Sequence, residues 1–195
     1  MVTCILLAAG ESRRFGTPKS LAQIKGQTLI ALLTQRLIAA KTGKIIVVLG
    51  ANADLISSRI PENPCLTVVV NKDYVEGQTS SFKTGLNAIP DGTSGVMLLP
   101  IDVPFVKKET LEVLIKTFIE KKPLVLVPTF EGKFGHPPIF SSQLIPEFKE
   151  LRNGDPLFTV QRRHASESLE IPTTDEGVHA TFNTPEELHT LLQRF

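Results

Sequence analysis

Leu7-Ala8-Ala9-Gly10-Glu11-Ser12-Arg13-Arg14-Phe15-Gly16-Thr17-Pro18-Lys19, read with the apolar run before it, decides the fold of this chain. Val2 to Leu7 is a short apolar run with a β-branched share, which predicts a buried first strand of an α/β sheet. The chain then turns abruptly polar. Small residues at Ala8, Ala9 and Gly10 let a ligand approach the main chain, and Gly10 and Gly16 tolerate backbone angles that larger residues resist. Successive N–H groups in such a loop can form a nest for an anion, and Arg13, Arg14 and Lys19 surround it with positive charge. A polyphosphate is the expected guest. Neither common phosphate loop is present: the glycines stand six apart and Gly16 is followed by Thr-Pro-Lys, not by the spacing of a dinucleotide fingerprint or a P-loop.

Outward from this loop, strand and helix patterns alternate. Leu29, Leu32, Leu33, Leu37 and Ala40 recur at helical spacing behind Thr28, a candidate N-cap, predicting a helix over 28–40. Lys44 to Gly50 reads as a buried parallel strand. Asn52 is positioned to cap a short helix reaching Ile60, and Leu66 to Val70 predicts a third strand after Pro61 and Pro64. Further strands are expected over Gly95–Pro100, Leu124–Val127 and Ser168–Ile171, and the glycine- and proline-rich run Gly132 to Phe140 leads into a short strand. Helices are expected over Phe82–Ala88, Thr110–Lys121, Glu147–Gly154, Asp155–Arg163 and from Pro185 to Phe195. The fold class is α/β with a mostly parallel sheet, in one domain over 1–195.

Composition bounds the function. The 195 residues, 42% hydrophobic, suffice for one core without staples. A formal net charge of +1 supplies no global field for nucleic acid or anionic membrane, so basic residues matter only where they cluster. Cys4 and Cys65 form no metal-spaced set with the four histidines, and Cys4 reads as a small buried thiol. No apolar run approaches a membrane span, Cys4 to Ala9 lacks the basic start of a signal peptide, and a cytoplasmic location is expected.

Four further stretches carry chemistry. Gly77-Gln78-Thr79-Ser80-Ser81 opens a helix, and its hydroxyls suit either an N-cap or an anion or base edge. Asp102 follows the predicted strand ending at Pro100, in the crevice where open α/β sheets bind ligands, and could hold Mg²⁺ against substrate phosphates. His136, beside Gly135 and Pro137, is either a structural hydrogen-bonder or a base. Asp155 suits the N-cap of a helix beginning at Pro156. Near the end, Thr184, Pro185 and Glu187 carry the spacing of a capping box.

The run Leu7 to Lys19 resembles the signature L-A-A-G-x-S-x-R-[MF]-G-x-P-K of nucleotidyltransferases with the GT-A-like fold. This group includes molybdenum cofactor cytidylyl- and guanylyltransferases, sugar-phosphate nucleotidylyltransferases and methylerythritol cytidylyltransferase. Gly77 to Ser81 is similar to the segment G-[MQ]-[ST]-S-S, Asp102 stands in the family's strand-D-x-P context, Gly135-His136-Pro137 matches G-H-P, Gly154-Asp155 matches G-D, and Asn183 to Glu187 matches N-T-P-E-E. Pro156-Leu157-Phe158 departs from the small residues usual after G-D. The resemblance spans the chain. It implies a three-layer α/β/α sandwich, with nucleotide against Leu7, Ala8, Ala9, Gly10, Ser12, Arg14, Lys19, Gly77, Thr79, Ser80 and Ser81. It implies metal on Asp102, with Asn183 at the second ligand position, and the acceptor against His136 and Asp155. Arg14, Lys19 and Asp102 would then carry catalysis, while Arg13 and Lys25 stay on the surface.

The activity so implied is transfer of CMP from CTP to the terminal phosphate of a molybdopterin-type cofactor, with Mg²⁺ bound and pyrophosphate released. A molybdoenzyme or a maturation chaperone would receive the product. Two alternatives follow from the same residues: a sugar-phosphate or other small-phosphate nucleotidylyltransferase, and a non-catalytic nucleotide- or cofactor-binding accessory protein. Asp102 weighs against the last, since a cleft carboxylate repels a nucleotide unless a metal intervenes.

Overall fold

The computed structural model describes all 195 residues. In chain order its strands are β1 (Val2–Ala8), β2 (Gln23–Ile24), β3 (Gln27–Thr28), β4 (Ile45–Leu49), β5 (Leu66–Val70), β6 (Gly95–Pro100), β7 (Val125–Phe130), β8 (Lys133–Phe134), β9 (Ile139–Ser141) and β10 (Ser168–Pro172). The helices are α1 (Leu29–Ala39), α2 (Ala53–Ser57), α3 (Gln78–Leu86), α4 (Lys108–Lys121), α5 (Ile145–Glu150), α6 (Phe158–Arg163) and α7 (Pro185–Arg194). The main sheet runs β10-β7-β9-β6-β1-β4-β5, with β8 attached to β7. β1 is fully buried and pairs in parallel with β4 and β6.

Alternation along β1 builds two cores. Cys4, Leu6 and Ala8 point into a cluster with α1, α4 and α7, and Ile5, Leu7 and Ala9 into one with Phe82 of α3, Phe148 of α5 and Val160 of α6. The sheet is thus covered by helices on both faces, giving the three-layer α/β/α arrangement. Burial pushes the Cys4 thiol pKa up, so this cysteine is a packing residue.

The parallel order is broken in one region, by β8 and β9. β9 runs antiparallel to both β6 and β7 and lies between them. The break begins at a two-residue hairpin, Glu131-Gly132, where both residues have positive φ and β8 folds back on β7. Glu-Gly is a less telling hairpin signal than Asn-Gly or Asp-Gly, which is why this turn is hard to read from composition.

Several helix ends differ from expectation. α2 is five residues long rather than reaching Ile60, and Asn52 adopts φ 56° with no capping bond from its side chain. The helix expected from Phe82 begins earlier, at Gln78, because Gly77 turns the chain at φ 104° and the following hydroxyls enter the first turn. α6 starts at Phe158, not at Pro156, and Asp155 does not cap it; the Asp155 carboxylate turns back and accepts from the Arg152 N–H at 2.8 Å. α4 starts at Lys108 without a cap from Lys107. Its cap comes from far downstream: buried Asp175 accepts from Lys107 N–H, 68 residues away, at 2.8 Å, from Thr110 Oγ1 at 2.6 Å, and from Gly177 N–H at 3.0 Å. The capping box of α7 forms as its spacing predicts, with Thr184 Oγ1 accepting from Glu187 N–H.

Candidate active site

The cleft lies beyond the carboxyl ends of β1, β4 and β6. Where β1 ends, the chain leaves the sheet, and the main-chain N–H groups of Gly10 through Arg14 find no acceptor within the protein. Ser12 holds the loop open. It adopts φ 57°, its carbonyl accepts from Phe15 and Gly16, and its Oγ accepts from Lys19 N–H at 3.0 Å. A curved row of free N–H groups bounded by basic side chains is an anion nest.

Lys19 reaches furthest into the cleft. Its ammonium donates to the Phe182 carbonyl at 2.7 Å and to Asn183 Oδ1 at 3.1 Å, lies 3.6 Å from Asp102 Oδ2, and sits 5.2 Å from the centre of the Phe182 ring. Arg14 also donates to Asn183 Oδ1, at 2.8 Å. Residues 83 and 164 positions apart from Lys19 are therefore joined through one ammonium group.

Two cavities meet here. The first, about 260 Å³, is walled by Ala8 to Gly10, Ser12, Lys19, Tyr74, Gly77 and Ser81. The second, about 430 Å³, runs past His136 to Pro156, Leu157 and Phe158. Gln78, Pro100 and Asp102 belong to both walls. A smaller slot of about 200 Å³ opens outside the loop, lined by Ser12, Arg13, Arg14, Lys19 and Asn183, so Arg13 faces a cationic recess as well as solvent.

Of the residues singled out by sequence, Leu7 to Gly10, Ser12, Lys19, Gly77, Ser81 and Asp102 line the first cavity. Thr79 and Ser80 do not; both are buried and hydrogen-bonded inward. Thr79 Oγ1 donates to the Asp155 carbonyl at 2.5 Å, and the single Ser80 hydroxyl proton is shared between the carbonyls of Asp73 and Gly77 while its oxygen accepts from Asn71. Ser80 holds the loop after β5 onto α3, and Thr79 ties α3 to the segment before α6. The Asp155 carboxylate is engaged with the Arg152 N–H and lines neither large cavity. His136 lines the second cavity, with a buried Nδ1 that has no partner in the protein. Burial holds its pKa below the ordinary value, opposed by the nearby Asp102 carboxylate and aided by His179, so the ring is neutral at neutral pH.

Tyr74 and Gln78 carried no pattern that would single them out, and Gln78 was visible only as part of the Gly77 to Ser81 segment. Tyr74 enters the wall because Gly50 admits it: a Cβ there would fall 2.6 Å from both Tyr74 Cβ and the Ala9 carbonyl oxygen.

No cluster of three or more His, Cys, Asp or Glu forms a self-sufficient metal site. The donors present are one carboxylate, Asp102, whose side chain is 30% exposed, and the Asn183 amide oxygen, already accepting from two cations. Asp102 fits a Mg²⁺-type ion that shares its coordination with substrate phosphates and water, not one caged by protein, whereas both lone pairs of Asn183 Oδ1 are taken by Arg14 and Lys19.

The match to known proteins extends across the molecule. A nicotine blue oxidoreductase from Paenarthrobacter nicotinovorans is 27% identical over 98% of this chain and 96% of its own length. The molybdenum cofactor cytidylyltransferase of Escherichia coli K12 is 24% identical over 92% of this chain and 95% of its own. The crystal structure of Rv0371c from Mycobacterium tuberculosis H37Rv superposes with a TM-score of 0.85 at 23% identity, covering 99% of this chain and 98% of that one. A manganese complex of Rv0371c superposes at 0.80, with 22% identity over 100% and 99% of the two chains. These last likenesses establish the shared fold. Since the model of the MobA-like NTP transferase domain matches residues 4–168, from within β1 to the start of β10, this chain belongs to that nucleotidyltransferase family.

Proposed function

We propose that this chain moves a nucleotidyl group, CMP from CTP, to the terminal phosphate of a molybdopterin-type acceptor, releasing pyrophosphate. The observation that carries the reading is the meeting of the two cavities at Asp102, with the Lys19 ammonium 3.6 Å from its carboxylate and the free N–H row of Gly10 to Arg14 alongside. The base and ribose lie against Tyr74, Gly77 and Ser81, and the phosphates cross the nest.

A phosphate oxygen of the acceptor attacks the α-phosphorus in line, and the bond from that phosphorus to the bridging oxygen of pyrophosphate breaks. A phosphate monoester is nucleophilic at neutral pH without a general base, so the protein's task is alignment and charge stabilisation. Asp102 would hold the divalent cation, which supplies charge neutralisation for the phosphates when bound, and Asn183 would join it once Arg14 or Lys19 turns from its amide oxygen to a phosphate. Lys19 and Arg14 stabilise charge on the α-phosphate and the leaving pyrophosphate. Neutral His136 orients the acceptor by hydrogen bonding and adds no repulsion or attraction of its own to the anionic chain. CTP is the expected donor on the L-A-A-G and P-K form of the loop and on the full-length likeness to a relative named as a cytidylyltransferase.

The test is pyrophosphate release by purified protein with Mg²⁺ and each nucleoside triphosphate in turn, with and without molybdenum-loaded molybdopterin. Release is expected only with CTP and the acceptor together, and is expected to fall at least about 10²-fold in Asp102→Asn. Turnover of a sugar phosphate with molybdopterin untouched, or no release with any triphosphate, would overturn the proposal.

A further inference from the structure

The outer half of the second cavity is built unlike the rest of the cleft. Phe134 of β8 and Phe158 at the start of α6 line it, and both continue into an adjoining hollow of about 360 Å³ whose wall also includes Gln161 and Arg162. These two rings are 58% and 47% exposed, whereas the other nine phenylalanines are buried or half-buried. Exposed rings on a concave wall point to a bound ligand more than rings scattered on a convex surface do. The Arg162 guanidinium lies 4.3 Å from the centre of the Phe158 ring and steadies it by a cation–π contact. Gln161, one turn further along α6, offers a carbonyl acceptor and an amide donor to the same space.

Charge is distributed to match. The second cavity has one ionised side chain, Asp102, at the end shared with the nucleotide cavity, and no lysine or arginine. A phosphate therefore finds its cations at Lys19 and Arg14, while the far end offers aromatic faces, a neutral amide and one guanidinium, Arg162, stacked on Phe158.

We infer that Phe134 and Phe158 form an aromatic seat for the ring system of the acceptor, a flat nitrogen heteroaromatic of the pterin class, with Gln161 reading its hydrogen-bonding edge. The seat orients the acceptor so that its phosphate reaches the α-phosphorus over Asp102. This inference rests on the nucleotidyl-transfer reading and sharpens it: Phe134, Phe158 and Gln161 determine specificity for the acceptor and take no part in the bond change.

Biopterin, a free pterin with its own fluorescence, is the probe. Titrated into the full chain, it is expected to show saturable quenching as it stacks. Phe134→Ala and Phe158→Ala should each weaken that binding roughly ten-fold, while Phe158→Tyr retains it. Donor binding is followed separately through Tyr74, the one tyrosine in a chain without tryptophan, and its response to CTP should stay within about two-fold of wild type in the same variants. Equal biopterin binding in wild type and the Phe134→Ala/Phe158→Ala double variant would overturn the seat. So would absence of quenching in a wild-type protein whose Tyr74 still responds to CTP, and that outcome leaves the nucleotidyl-transfer reading standing. Loss of the CTP response in wild type would overturn both.

Discussion

Replacing Lys19 by Met separates the structural work of this side chain from its chemical work. Its ammonium is only partly accessible, with 11% of the side chain exposed, and donates to the Phe182 carbonyl at 2.7 Å and Asn183 Oδ1 at 3.1 Å. Met keeps the packing of the apolar stem, so the loss falls on those bonds and on the pairing with Asp102. Stranding the Phe182 carbonyl costs about 2 kcal/mol, and the ion pair at 3.6 Å to a partly exposed carboxylate adds well under about 1 kcal/mol. The melting temperature should fall by about 4–8 °C. Against a stability of roughly 5–15 kcal/mol, this leaves more than about 99% of the protein folded at 25 °C. Activity should fall far more than that: loss of a preorganised cation beside the reacting phosphate lowers kcat/KM by about 10²–10³. Lys19→Arg keeps the charge, but a planar fork cannot converge on three acceptors as an ammonium does, so an intermediate loss of about ten-fold is expected. The assay is pyrophosphate release under subsaturating CTP, with circular dichroism melts on the same samples. A Lys19→Met protein that is folded and turns over within ten-fold of wild type would refute the role given to this residue.

Two further outcomes test the scaffold. Asp175→Ala removes one buried carboxylate that satisfies three donors across Lys107, Thr110 and Gly177, and should lower stability by about 3–5 kcal/mol in urea unfolding, with turnover per folded molecule unchanged; a change below about 1 kcal/mol would show that the long-range cap is not stabilising α4. His164 joins α5 to the turn after α6 through Glu167 at 3.1 Å and Glu147 at 2.7 Å, with Arg163 also paired to Glu147, and hydrogen bonding to the two carboxylates raises its pKa above the ordinary 6.5. A raised folded-state value means the stabilisation is complete below about pH 6.5 and is lost as pH rises through the folded value. Melts of wild type and His164→Gln should therefore differ most in mild acid and converge in alkali, and a difference that grows with pH would contradict the assignment.

Much of the site was legible because its parts are local. The run Leu7 to Lys19 holds its own glycines, its Ser12 hydroxyl and its cations within thirteen residues, so the nest is written in consecutive positions. Asp102 was legible for a related reason: a polar residue directly after a buried strand has few places to go except the crevice. Thr79 and Ser80 were misleading, because a hydroxyl cluster after glycine reads the same whether it faces a ligand or ties a loop, and Asn71 and Asp155 claim these two hydroxyls from other elements. Tyr74 and Gln161 hold no motif position, and Phe134 and Phe158 only border the G-H-P and G-D matches; they line the cleft because the loop after β5, the β8 hairpin and α6 fold to the same end of the sheet.

By itself the sequence determined the α/β class, the positions of the long buried strands through their apolar runs, the phosphate-binding loop and the carboxylate beside it, since each depends on the order of neighbouring residues; the two-residue strands β2, β3 and β8 carry no such run. Tertiary structure alone decided that β9 enters the sheet antiparallel, that Asp175 caps a helix by accepting from Lys107, 68 residues earlier, and that Lys19 joins Asp102 to Asn183. Those choices are made by which buried donors and acceptors can find one another once the sheet has closed, and no local pattern records them.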